Sequence, residues 1–396
     1  MTENNGTGST EKLLIKRLKV SGLLSFGPTG IDLPMRGLNV LIGANGSGKS
    51  NLIEIFSLLR SAARGQFGGE GDWLWKGEGD HTSAEGTVEI TVSNPKGSRD
   101  LRHVLTVFAS GLRLDVADER IEDVGAEVED SGAHRHYDYK RGDVHLFSAL
   151  GAGTRFMAGK VHPDRSILTQ VRDPENYPAL ASLERAYDGF RLFRNWQFGP
   201  TASLRQPQSV SLRDDFLAED GCDNLAMVLS NLPGKAKSQL TESLKKLYEG
   251  IDRISPQKVG AAIQLFLREA GDRQIRATRL SDGTLRYLCL LAILLHPDPP
   301  PFVAIEEPEL GLHPDVIQHV ATLLIDASRR TQLVVTTHSR RLIDELGDLP
   351  DSVVVCEKHD GESTFERLDG ERMKHWLDRY TLGELWSSGE LGGNRW

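Results

Sequence analysis

The sequence has few of the residues that staple or anchor a chain. It holds 3 cysteines in 396 residues. Cys222, Cys289 and Cys356 lie far apart with no CxxC pair, which excludes a zinc ribbon and a disulfide scaffold. Cys289 and Cys356 fall in apolar stretches, as buried thiols in a reducing compartment do. Long hydrophobic runs are also missing. The longest, Leu285–Leu295, is interrupted by Arg286 and is far too short to cross a bilayer. The opening MTENNGTGSTEK is polar and has none of the apolar stretch of a signal peptide, so a cytoplasmic protein without a membrane partner is expected. No repeat of fixed period and no sustained heptads occur, which excludes a solenoid and a long coiled-coil arm. Positive charge is not in excess. Lys and Arg number 47 against 56 Asp and Glu, a net −9, which argues against a uniformly basic nucleic-acid coat but leaves room for a local basic groove.

What is present is ordinary globular composition, 39% hydrophobic and 26% charged. At roughly 150 residues per domain the length allows two to three units. A short β segment is expected at Leu13–Val20, then a glycine-rich turn region and the apolar run Leu38–Ile42. Helical spacing of Leu52, Ile53, Phe56 and Leu59 follows. Thr87–Val92 and Leu101–Phe108 read as strands. Residues 115–130 carry eight acids against one base, Arg120, and read as a solvated loop or exposed strand edge. Residues 150–275 read as mainly helical, over Tyr177–Phe190, Asn224–Leu232, Ser238–Tyr248 and Val259–Glu269. From 281 an α/β alternation returns, with a helix at Gly283–Leu295 and strands at Phe302–Ile305, Leu333–Thr336 and Val353–Cys356. Such alternation implies a mainly parallel sheet, here split in sequence by the helical insertion.

Four short stretches carry chemistry. Gly43-Ala44-Asn45-Gly46-Ser47-Gly48-Lys49-Ser50 fits GxxxxGK[ST] between a predicted strand and a predicted helix. Glycines let the backbone N–H groups of residues 43–51, from Gly43 to Asn51, turn inward onto phosphate oxygens, and the helix dipole adds to the pull. Lys49 reaches the β/γ phosphates, and Ser50 joins the Mg²⁺ shell. Strand Phe302–Ile305 ends in Glu306 and Glu307. Glu306 is placed as a metal ligand, direct or through water, and Glu307 as the group that orients and deprotonates the attacking water. His338 follows the strand Leu333–Thr336 and can meet a γ-phosphate or its water. Leu280-Ser281-Asp282-Gly283-Thr284 opens a helix. Ser281 or Asp282 is a natural N-cap; alternatively Ser281 and Gly283 form a second phosphate-binding end for a symmetric partner's nucleotide.

In this order these elements resemble the ATP-binding-cassette-type ATPases of the SMC, RecF and OLD-like group. GANGSGKS resembles their Walker A motif and LSDGT their signature. FVAIEEPE resembles Walker B, ELGLHP (309–314) the D-loop and TTHS the H-loop. The finer similarity is to short AAA-type ATPases that share IEEPELGLHP, VVTTHS and a tail like LGELWSSGELGGNRW. Glu306 departs from the usual Asp of Walker B, and Gln66 is the candidate for the Q-loop glutamine. The resemblance implies a P-loop head with its halves at 12–150 and 277–370, a helical lid or clamp at 151–276 and a tail at 371–396. It implies ATP and Mg²⁺ as cofactors and an ATP-dependent head-to-head dimer. It also implies a TOPRIM-type nuclease or other effector as partner, and a DNA-linked role in repair or phage defence. Only 58 residues follow His338, too few for a TOPRIM domain in this sequence.

Two stretches stay open on sequence alone. Arg185, Arg191 and Arg194 with Phe190, Phe193 and Trp196 either contact nucleic acid or pair and pack internally. The stretch from Trp386 to Trp396 docks either on the body or on a partner. A slow ATP-gated scaffold that binds no DNA is the competing function, with a transporter's nucleotide-binding subunit as a third.

Overall fold

The structure, a computed structural model, describes residues 13–65, 67, 72–77, 81–95, 97, 99–111, 113–125, 135–149, 153–155, 161–212 and 215–393. From the amino end come β1 (Ile15–Ser21), β2 (Ile31–Pro34), β3 (Leu38–Ile42) and α1 (Lys49–Arg64). A meander follows, β4 (Glu85–Val92), β5 (Leu101–Ser110), β6 (Arg113–Asp123), β7 (Arg135–Lys140), β8 (Asp143–Phe147) and β9 (Gly153–Arg155). Helices α2 (Ile167–Gln170) and α3 (Pro178–Asp188) lead into β10 (Arg191–Phe193). Then come β11 (Gln208–Ser209), α4 (Leu225–Asn231), α5 (Gly234–Leu247), β12 (Ile251–Ile254), β13 (Gln257–Val259), β14 (Ala262–Gln264), β15 (Phe266–Glu269) and β16 (Arg273–Arg276). The last part is α6 (Asp282–Leu294), β17 (Phe302–Glu306), α7 (Pro314–Ala327), β18 (Gln332–Thr336), α8 (Arg340–Asp344), β19 (Val353–His359), β20 (Glu362–Arg367), α9 (Gly370–Leu377) and α10 (Leu382–Ser387).

The central sheet has the order β10-β17-β18-β3-β19-β20, parallel except for the last strand. Its inner strands are apolar on both sides because both faces are covered. Side chains alternate between two cores. Val40 and Ile42, Val303 and Ile305, Leu333 and Val335 join the core under α4–α7. Leu41, Phe302, Ala304, Val334 and Val354 join the core under α1 and α3. The second core also takes the inner face of an antiparallel eight-stranded sheet, β2-β1-β4-β5-β6-β7-β8-β9. Buried Gln332 fastens one sheet to the other. Its Oε1 accepts from Ile15 N at 2.8 Å, and its Nε2 donates to the carbonyls of Ile15 and Arg36 at 2.8 and 3.0 Å.

Three expectations need correction. Residues 151–276 are not mainly helical. Strand β10 lies in the central sheet beside β17, and residues 208–276 carry two small antiparallel sheets, β11-β14-β13 and β12-β15-β16. The run expected as a helix at Val259–Glu269 is a set of strands. Antiparallel pairing sets their state, with Ile263 opposite Gln208 and Lys258 and Leu267 opposite Ile254 and Ile275, and Gly260 turns the chain at φ +61°. The acidic stretch is likewise no solvated loop over its described part. Residues 115–123 lie in β6, flanked on both sides by β5 and β7, while 126–130 fall outside the described residues.

Within that strand Glu119 is buried, because its carboxyl closes a polar network. It accepts from Ser166 Oγ, from Ile167 N at 2.9 Å and meets His103 Nε2 at 3.2 Å; His103 Nδ1 meets the Tyr187 hydroxyl at 2.9 Å. The network ties the meander to α2 and α3. Glu119→Ala would strand these partners in an apolar core at about 1–3 kcal/mol each. It is expected to lower the unfolding free energy by about 3 kcal/mol, read from a urea titration. An unchanged midpoint would show that the network contributes nothing.

Candidate nucleotide site

The loop 43–50 joins β3 to α1 at the carboxyl edge of the parallel sheet, where such sheets present ligand sites. Its glycines are required by geometry. Gly43, Gly46 and Gly48 have φ of +152°, +79° and +98°. A side chain at Gly43 would collide with the Cys356 carbonyl, and one at Gly48 with the hydroxyls of Ser363 and Ser25. Lys49 is buried and folds back on the loop, its Nζ donating to the carbonyls of Gly43 and Ala44 at 2.8 and 2.9 Å. Burial pulls its ammonium below the usual lysine range, against the opposing charges of Glu307 and Glu306. Ser47 is buried beside it, Asn45 lines a small cavity with Cys356 and Gly393, and Asn51 donates to Ser25 Oγ at 2.7 Å.

The two acids arrive from β17. Ser50 Oγ donates to Glu306 Oε1, so two hard oxygens adjoin at the start of α1. The extra methylene of Glu306 over Asp therefore does not keep it from the loop. Arg194, just past β10, pairs with Glu306 Oε2 at 3.4 Å and with Glu54. Trp196 Nε1 donates to the Glu306 carbonyl at 3.1 Å. Glu307 stands at φ +44°, a left-handed conformation that costs a non-glycine residue about 1–3 kcal/mol. Its N–H is held by the Thr336 carbonyl at 3.1 Å and Thr336 Oγ1 at 3.2 Å, and its own carbonyl accepts from Arg286 Nη1 at 2.8 Å.

His338 follows β18 on the same edge, with Nε2 3.7 Å from Glu307 Oε1. Glu309 fixes this turn, since its Oε1 accepts from Thr337 Oγ1 at 2.6 Å and from His338 N at 2.9 Å. Burial raises the Glu309 carboxyl above the usual range. Lys49, Ser50, Glu306, Glu307 and His338 are thus brought to one edge. Ser281 and Gly283 are not. Ser281 caps α6 through Thr284 N at 3.1 Å, and a side chain at Gly283 would lie 2.6 Å from the Gly311 carbonyl. The signature turn packs on the D-loop of its own chain, and its Ser281 is exposed. Buried Arg205 holds it there, donating to the carbonyls of Ala277 and Leu280 at 3.1 and 2.6 Å, to that of Phe198 at 2.8 Å and to Asp282.

Gln66 lies outside the described residues. The strand end beside Glu306 carries Arg194 and Trp196, which both bond it. Four residues that touch the site escaped the sequence reading as site residues, Arg194, Trp196, Arg286 and Glu309. Arg286 left a signal, a lone cation in an apolar helix. The basic–aromatic cluster is spent internally only in part, since Arg185 is exposed. Phe190 and Phe193 are buried, and Arg194 pairs with two acids. Up to Gly393, the last described residue, the tail docks on the body: Gly383 N bonds Asp344 Oδ1 and Gly393 N bonds Glu357 Oε1, each at 2.8 Å. No described helix is long and apolar enough to cross a membrane.

Burial, chiefly, and then the charge of Lys49 hold the His338 imidazole below the ordinary histidine value of 6.5. The neutral ring therefore persists as pH falls through 6.5 and protonates only below it. An NMR titration of the nucleotide-free protein should show this depressed midpoint, and Lys49→Met should move it upward. A midpoint at or above 6.5, or one insensitive to Lys49→Met, would contradict the geometry.

No curated protein matches the sequence. Solved structures do match the fold. An SMC head bound to the C-winged helix domain of ScpA shares 17% identity at a TM-score of 0.58, over 91% of this chain and 99% of that one. A Pyrococcus furiosus SMC head with an extended coiled coil, bound to the C-terminal domain of ScpA, shares 14% at 0.58, over 92% and 98%. A Pyrococcus yayanosii SMC head with a coiled coil and joint shares 12% at 0.51, over 92% and 99%. The fold is therefore the P-loop NTPase head of SMC type. The sequence model of one family covers residues 38–344, from β3 through α8, and the chain belongs to that family, the AAA domain described as "putative AbiEii toxin, Type IV TA system".

Proposed function

We propose that this chain binds ATP with Mg²⁺ and hydrolyses it, in a head-to-head dimer that switches a partner effector. The observation that supports this best is the meeting of Ser50 with Glu306 while Glu307 and His338 face each other on the same edge. Among the described residues no cluster of three or more His, Cys, Asp or Glu could hold a metal alone. Two oxygen donors with phosphates and water completing the shell suit Mg²⁺, which keeps much of its water. When bound, the ion would neutralise phosphate charge, held by Ser50 and Glu306. Residues Gly43 to Asn51 supply the backbone cradle, and Lys49 exchanges its loop carbonyls for the β/γ phosphates. Glu307 orients the attacking water and takes its proton, while neutral His338 donates to the γ-phosphate. The exposed Ser281 and the close-packed Gly283 turn would face the partner protomer's nucleotide.

SMC heads of this fold occur bound to domains of ScpA, which favours a second protein on this head as well. A nuclease effector of TOPRIM type and a DNA-linked role in repair or phage defence complete the reading. One observation favours the slower alternative, an ATP-gated scaffold without direct DNA contact: Arg194, one of the arginines that offered such contact, is taken up by two acids of its own chain.

Glu307→Gln is expected to trap an ATP-bound dimer, seen as doubled mass by size-exclusion with light scattering; a monomer at saturating ATP would refute the dimer. Lys49→Ala should weaken ATP binding by about 10–100-fold in a calorimetric titration. Unchanged affinity would refute the loop assignment. Duplex DNA should raise the turnover number severalfold if the role is DNA-linked, and no change would leave the scaffold reading.

A further inference from the structure

Helix α6 buries an almost wholly apolar set of residues, Leu285, Tyr287, Leu288, Cys289 and Leu290 among them, with Arg286 as the only charged one. Its residue is 6% exposed. Taking a guanidinium out of water is costly unless its donors are used and its charge is compensated. A methionine or leucine would fill the same space at lower cost, so packing alone does not account for an arginine.

The compensation is specific. Arg286 Nη1 donates to the carbonyl of Glu307 at 2.8 Å. Its guanidinium carbon lies over the Trp196 ring at 5.2 Å and over the Phe198 ring at 5.4 Å, within cation–π range. The same Trp196 donates its indole N–H to the carbonyl of Glu306 at 3.1 Å. Two consecutive carbonyls of the acid pair are therefore gripped by two side chains that stack on each other. On the far side Thr336 holds the Glu307 N–H. Between these anchors Glu307 is kept at φ +44°.

The aim of the Glu307 carboxylate depends on that backbone. Its nearest ion-pair partner, His338 Nε2, is 3.7 Å away, beyond hydrogen-bond range. A left-handed residue relieved of its anchors relaxes toward the broad β or α region and swings its side chain elsewhere.

We infer that Arg286 and Trp196 are positioning residues that hold Glu307 in its left-handed conformation and so aim its carboxylate at the attacking water. This rests on the reading of Glu307 as the group that activates water. Neither residue touches nucleotide in this scheme. Their loss misplaces the base and leaves the phosphate loop intact.

The test compares Arg286→Met, Arg286→Lys and Trp196→Phe with the parent protein. Trp196→Phe keeps the stacking and removes the N–H. Arg286→Lys keeps the charge and shortens the reach. Turnover number, ATP dissociation constant and melting temperature are measured, with turnover assayed well below melting. Arg286→Met and Trp196→Phe should lower the turnover number by about tenfold to a hundredfold, the scale of a misplaced catalytic group. The ATP dissociation constant should stay within about threefold. Arg286→Lys should recover part of the rate. On a Glu307→Gln background, Arg286→Met should cause no further loss, because the group it aims is gone. A turnover number within twofold of the parent in Arg286→Met, with Glu307→Gln inactive, would overturn the positioning role alone. So would a fall in rate matched by equal losses of affinity and melting temperature. Full turnover in Glu307→Gln would overturn the reading of Glu307 itself and the inference with it.

Discussion

The register of three parallel strands governs everything at this site. Leu41 of β3 pairs with Thr336 of β18, and Thr336 pairs with Glu306 of β17. The loop 43–50 and His338 follow these paired positions by a few residues, and the two acids stand at theirs and directly after it, so they emerge side by side. A one-residue slip would turn every side chain of a strand to the opposite face and exchange its place between the two cores. The alternation of Val303 and Ile305 against Phe302 and Ala304 forbids that slip, because both faces are filled. Hydrophobic packing thus sets the geometry of the polar site, although none of the packed residues touches it.

Much of this was legible in the sequence for a physical reason. Strands β3, β17 and β18 are short apolar runs that end in polar residues with distinct chemistry, and the phosphate loop needs glycines that nothing else replaces. What stayed hidden has longer range. Strand β10 is three residues long, and it reads as a helix exit until its partner β17 is known. The residues after it, Arg194 and Trp196, acquire meaning only beside Glu306. The small sheets of residues 208–276 were masked by leucine, arginine and glutamate, which favour helices in isolation but here pair across antiparallel strands. Glu119 looked like one of many solvated acids, because no local pattern announces His103 and Ser166 as its partners.

The edge that carries Glu306 and Glu307 and the turn before α6 are tied together within one chain. Arg205 fixes the turn before α6 to Phe198, and Arg286 fixes α6 itself to Trp196 and the acid pair. The segment 194–199 is therefore shared between both ends. Its stiffness comes from stacked rings, with Trp196 between Phe193 and Phe198 at centroid distances of 5.8 Å on each side. Rigid elements of this kind are what allow a small displacement at one end to be felt at the other.

The course of the tail has a practical consequence. After α10 the chain wraps past the Glu357 carboxylate until Gly393 lies against Gly43, so close that a Cβ on Gly393 would stand 3.3 Å from the Gly43 Cα. Any side chain introduced at Gly393 would therefore press on the loop 43–50. A bulky label attached at Gly393 would report on that loop and disturb it at the same time.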